Sequence, residues 1–196
     1  MKLIYKLLTI SLLMVVITAC TETDNMEGSK ESFEMIGKER EDGWWGAFGE
    51  FYRVKNADDL GEYQTGPLNI VIEQVQLLKG HFNANEYTSE ETEYKYANFL
   101  MNMHLEGEIG DGIEFDHHYP KLRINEEEQL INVDELFSSI FYSDNLRGAS
   151  EMLISVSFEL GEVSLEDIEK VTFIVQSPDY EGEPMGEDLE VEVTFE

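Results

Sequence analysis

Met152-Leu153-Ile154-Ser155-Val156-Ser157-Phe158-Glu159-Leu160 is the stretch that decides the fold class. Apolar side chains stand at 152, 154, 156, 158 and 160, and three of the four residues between them are polar. That period of two belongs to a strand with one face on a core and one face in water. On this reading Phe158 points inward and Ser157 outward. The same period runs through Ala97, Phe99, Met101, Met103 and Leu105, and again through Leu189, Val191, Val193 and Phe195. Residues 171–176 (VTFIVQ) are apolar on both faces, as a central strand requires. In residues 68–78 the parity switches, from Leu68, Ile70 and Ile72 to Val75 and Leu77, so a bulge is expected near Glu73-Gln74. Weaker strand candidates are residues 51–54, 121–124 and 129–133.

Helical signals are few. Ser164 followed by Glu166, Asp167 and Ile168 suits one turn between strands. Residues 136–142 suit another, with Phe137, Ile140 and Phe141 tucked under a loop, and residues 32–40 could form a short helix. About six to eight strands with almost no helix predict an all-β chain, an antiparallel immunoglobulin-like β-sandwich, with a closed barrel as the alternative.

The N-terminus carries an address. Lys2 and Lys6 precede an apolar run at residues 7–18, too short for a spanning helix of about 20 residues but suited to a signal-peptide core. The run closes on Ile17-Thr18-Ala19-Cys20, which resembles a bacterial lipobox. There the thiol would take a diacylglyceryl group and cleavage would free the Cys20 amine. The expected organisation is a lipoprotein signal peptide at 1–19, a lipidated acidic tether at 20–43 and a β-sandwich at 44–196. Two or three acyl chains, at about 0.8 kcal/mol per buried CH₂, anchor such a chain stably at the extracytoplasmic face of the membrane.

Of 196 residues, 42 are acidic and 13 basic, a formal charge of −29. Removing residues 1–19 takes Lys2 and Lys6 away and leaves −31. Phosphate contacts are built from Lys and Arg, so a nucleic-acid partner is not expected. One cysteine excludes an intrachain disulfide and a Cys-cluster zinc site. The acids are dispersed, as for a solvated surface, although residues 179–196 hold eight acids and no base and are the best candidate for a basic partner.

A lipobox, an acidic tether, the Gly-Pro-led strand GPLNIVIEQVQLL (66–78) and the late strands EMLISVSFEL (151–160) and KVTFIVQSP (170–178) resemble bacterial surface lipoproteins with a telokin-like, immunoglobulin-like domain. The likeness covers residues 66–196. It implies fold and location, and carries no established catalytic set. This chain departs from the family pattern at residues 106–116 and in the long connection 125–150.

The densest polar cluster is residues 106–119, where Asp111, Glu114 and Asp116 are candidate metal ligands. The spacing lacks the alternating ligands and terminal Glu of a calcium loop, and a polar hairpin loop is the preferred reading. Consecutive histidines on an extended chain point to opposite faces, so His117 and His118 are not expected to chelate together. His104 is expected to be exposed. Trp44 and Trp45 are candidates for stacking on a sugar or peptide, or for capping the core. No nucleophile elbow, zinc-protease helix or phosphate loop occurs, and no cofactor is expected. Two functions remain: a non-enzymatic envelope lipoprotein that binds a surface protein or polymer, and a hydrolase of wall or surface polymer working through Asp/Glu pairs.

Overall fold

Residues 68–82 form a strand in which the apolar parity changes once, and the cause is a single unpaired residue. In a computed structural model Ile72 lies opposite Met101 and Gln74 lies opposite Leu100, so Glu73 is the extra residue of a bulge. The bulge keeps Leu68, Ile70 and Ile72 on the same buried face as Val75 and Leu77. The structure describes residues 34–36, 49–83, 92–106, 112–147 and 151–195.

Twelve strands are described: β1 (Glu34–Ile36), β2 (Gly49–Thr65), β3 (Leu68–Phe82), β4 (Tyr94–Leu105), β5 (Ile113–Glu114), β6 (Pro120–Ile124), β7 (Ile131–Asn132), β8 (Met152–Glu159), β9 (Lys170–Val175), β10 (Asp179–Tyr180), β11 (Glu183–Pro184) and β12 (Leu189–Thr194). The chain is predominantly β, and every described strand pairing is antiparallel. One sheet has the order β1-β2-β3-β4-β8 and another β12-β9-β6-β7, with a small third sheet β11-β10-β5.

The first two sheets share one core. Phe99 of β4 stacks on Phe173 of β9 with ring centroids 4.7 Å apart, and Phe158 of β8 meets the same ring edge-on at 6.2 Å. The alternating residues of β4, β8 and β12 lie on that core as their period predicts, and β9 is central to its sheet. The β10–β11 hairpin turns on Glu181 and Gly182, both at positive φ, the conformation of a two-residue turn that matches strand twist.

A second, smaller core lies under the opposite face of the first sheet. Leu78 and Tyr96 are cross-strand partners, as are Phe51 and Gly80, and direct partners share a face. A Cβ on Gly80 would lie 2.1 Å from the Glu50 carbonyl oxygen, so only glycine admits the β2 backbone this closely. Phe137 completes the cluster by stacking on Phe82 at 4.1 Å.

Several expectations need correction. Residues 136–142 are not helical; they run along the edge of β8, where Asp134 N donates to Ser157 O and Ser139 N to Ser155 O. Phe137 and Phe141 are buried as expected, though on different cores, but Ile140 is 59% exposed, because a segment hugging a strand edge cannot turn every apolar side chain inward. The helical turn comes later, as α1 (Ser143–Leu146). The turn expected after Ser164 does form, as a 3₁₀ turn at Leu165–Asp167. Within residues 32–40, Glu34–Ile36 is a strand paired with β2 rather than a helix. The candidate at 51–54 is part of a far longer strand, and 129–133 contracts to two residues.

Ser157 is the largest correction. It is completely buried, because residues 137–139 cover the β8 edge. Its hydroxyl donates to Phe137 O at 2.8 Å and accepts from Asn98 Nδ2 at 2.9 Å, while its backbone N–H donates to Ser138 Oγ.

Candidate functional site

Asp116 shapes the most unusual polar arrangement among the described residues. Its Oδ1 accepts from the backbone N–H of His118 at 2.8 Å, and Tyr119 N closes the turn on Asp116 O at 3.2 Å. An aspartate that bonds its own chain two residues on folds that chain back on itself. Pro120 then opens β6. The two histidines therefore sit in a turn, and the alternation of extended chain does not apply. Their ring centroids are 4.0 Å apart, which corrects the expectation that they diverge.

The pair is held from two sides. His117 is buried at 3% exposure, with the rings of Phe141 and Tyr142 set edge-to-face to its own at centroid distances of 6.3 and 5.6 Å, and its backbone N–H donates to Phe141 O. Its Nδ1 is buried and has no hydrogen-bond partner. His118 is exposed, and both of its ring nitrogens face carboxylates: Nδ1 lies 3.1 Å from Asp116 Oδ1, and Nε2 lies 3.0 Å from Glu135 Oε1. One ligand atom each from Asp116, His117 and His118 falls within 4.8 Å of the others.

Of the predicted ligand set, only Asp116 belongs to this cluster. Glu114 is exposed on β5, opposite Asp179. Asp111, Trp44, Trp45 and the lipobox residues Ile17, Thr18, Ala19 and Cys20 lie outside the described residues. His104 is half-buried rather than exposed; it faces the buried Asn69 across the sheet and lies 3.7 Å from Glu106.

Sequence reasoning missed a carboxylate pair at the edge of the second core. The buried Tyr96 hydroxyl donates to Asp134 Oδ2 at 3.1 Å, and Asp134 Oδ1 accepts from Leu136 N. Burial pushes the Tyr96 phenol well above its ordinary value, and the nearby Asp134 and Glu159 charges add to this. Glu159 is also raised, first by desolvation and then by Asp134. A raised carboxyl beside a second carboxylate is the pattern a hydrolase needs. Here, however, both Asp134 oxygens already satisfy protein donors, one of them a phenol inside an aromatic core.

The connection that supplies Asp134 and Glu135 also carries four of the seven exposed large apolar side chains among the described residues. Leu130, Leu136, Ile140 and Tyr142 are all exposed, at 61% for Leu136, and Leu153 on the adjoining β8 is 60% exposed. The sequence does not signal this: residues 129–133 read as a weak strand and residues 136–142 as a turn with Ile140 tucked inward.

No family model matches the chain, and comparison with curated proteins and with solved structures gave no match either.

Proposed function

We propose that this chain is a lipid-anchored lipoprotein of the bacterial cell envelope, held at the extracytoplasmic face of the membrane through Cys20. Its immunoglobulin-like sandwich serves as a non-enzymatic module that binds another surface protein or polymer. The observation that carries the reading is Ile17-Thr18-Ala19-Cys20, closing an apolar run that follows two lysines. Strand order supports the immunoglobulin-like part. With β2 as an added strand, β3-β4-β8 has the order A-B-E, and β12-β9-β6-β7 has the order G-F-C-C′. The exposed apolar side chains of residues 130–142 and Leu153 support the binding part, because large apolar groups gathered on one stretch of surface mark contact sites.

Two measurements test the two halves. Cys20→Ala should leave the precursor unacylated and uncleaved at this site, read by mass spectrometry of the membrane fraction. An unmodified Cys20 in a mature, membrane-bound chain would refute the anchor. A photocrosslinking side chain at Ile140 should give one defined adduct on intact cells, whereas the same group at Glu190 should give none. Equal labelling from both positions would refute the binding surface.

A further inference from the structure

We infer that Asp116, His117 and His118 form a binding site for one divalent transition-metal ion of the zinc class, with Glu135 orienting the His118 ring from its other nitrogen. The site goes beyond the interaction function and does not depend on it.

Three observations converge on it. First, the ligand atoms of Asp116, His117 and His118 lie within 4.8 Å of one another, and Glu135 Oε1 touches the same His118 ring. Ligands around tetrahedral zinc, at about 2.0–2.2 Å from the metal, stand about 3.3 Å apart. The cluster must therefore contract by up to about 1.5 Å, a shift that the exposed side chain of His118 can make.

Second, the His117 side chain is 97% buried (3% exposed) with an unpartnered Nδ1, and its ring lies against His118. A buried polar atom with no partner carries a desolvation penalty, which a bound cation would relieve.

Third, both ring nitrogens of His118 face carboxylate oxygens, which only accept. One ring nitrogen can therefore hold a metal ion shared with Asp116 while the other donates its N–H to Glu135, the outer carboxylate that commonly orients a ligating histidine. The donor set is two imidazoles and the Asp116 carboxylate, which favours zinc or its later first-row neighbours over calcium, an ion that takes oxygen ligands.

The consequence is structural. The ion would tie the turn at residues 116–118 to the connection bearing Glu135, which neighbours the exposed Leu136. The experiment titrates ZnCl₂ into the full-length chain in detergent by calorimetry, in a Cys20→Ser background so that the sole thiol cannot compete. One saturable site is expected, weakened at least tenfold by His118→Ala, with no matching site for CaCl₂. His118→Ala keeps the backbone bond from His118 N to Asp116, so the turn should survive, and a metal-free melt verifies that it does. In the chain with both histidines, zinc should also shift the His117 ring-nitrogen resonances in NMR spectra. Absence of saturable binding would overturn the proposal. So would zinc binding that His118→Ala leaves unchanged, since that would mark adventitious capture by an acidic surface, or binding that leaves the His117 ring unshifted.

Discussion

Ser157 and Phe158 are neighbours on β8 with opposite surroundings, yet both are fully buried. Truncating Phe158 empties volume between Phe99 and Phe173, so Phe158→Ala should cost about 3–5 kcal/mol in urea unfolding. Ser157→Ala leaves Asn98 Nδ2 and the Phe137 carbonyl short of a partner, and should cost about 1–3 kcal/mol. A silent Ser157→Ala would mean that water replaces the hydroxyl. Glu159, two residues after Ser157, allows a signed pH test. Its carboxyl is raised, so the folded state holds the proton more tightly than the unfolded chain does. Folding is thus penalised above the folded pKa, and the penalty fades as pH falls through it. Glu159→Gln should therefore raise the melting temperature at pH 7–8, and the gain should shrink towards zero in the ordinary carboxylate range near pH 4. A gain of the same size at both pH values would assign the effect to packing. The serine pattern read correctly as strand but wrongly as solvent-facing. Period two reports which face a residue occupies; it does not report what later chain covers that face.

Single elements carried their signal unequally. The bulge in β3 was legible because the core demanded a fixed inner face and the apolar parity had to break somewhere. It yields a sharp expectation. Deleting Glu73 removes the extra residue, so β3 can pair with β4 without a break while Leu68, Ile70, Ile72, Val75 and Leu77 keep one inward face. The deletion should therefore retain cooperative unfolding followed by near-ultraviolet dichroism, whereas deleting Gln76, which is paired in register, should turn Leu77 away from the core and abolish it. Equal damage from both deletions would show that the spare residue of β3 does not lie at Glu73. β2 was not legible beyond residues 51–54. Its later half reads Asn56-Ala57-Asp58-Asp59-Leu60-Gly61, a turn-like composition, and it does break register between Asp58 and Gly61, with Asp59 and Gly61 at positive φ. It is a strand because β3 offers it a ladder of hydrogen bonds, a tertiary effect that local propensity does not contain. The turn at Asp116 failed for a related reason. A side chain that captures its own backbone two residues on overrides the alternation expected of neighbouring histidines.

Across the whole molecule, acids outnumber bases by three to one, and the bases that are present sit among them. Lys170 lies 2.7 Å from both Glu126 and Glu192, which raise its pKa; Arg123 meets Glu190, and Lys79 meets Glu166. Salt screens such attractive pairs as well as repulsive ones, so the sign of its effect depends on which are more numerous. With a formal net charge of −29, repulsion dominates. The Debye length falls from about 10 Å at 0.1 M to about 3 Å at 1 M. The melting temperature should accordingly rise smoothly with NaCl at pH 7. Sodium chloride at molar levels also acts on protein surfaces in ways unrelated to their charge, so the rise alone does not identify its cause. The pH dependence does. Near the sequence isoelectric point of about 4.2 the excess charge disappears, and the salt-induced gain should disappear with it. A gain of equal size at pH 7 and near pH 4.2 would assign it to solvent exclusion, and the dispersed acids would then add nothing measurable to the free energy of the compact state.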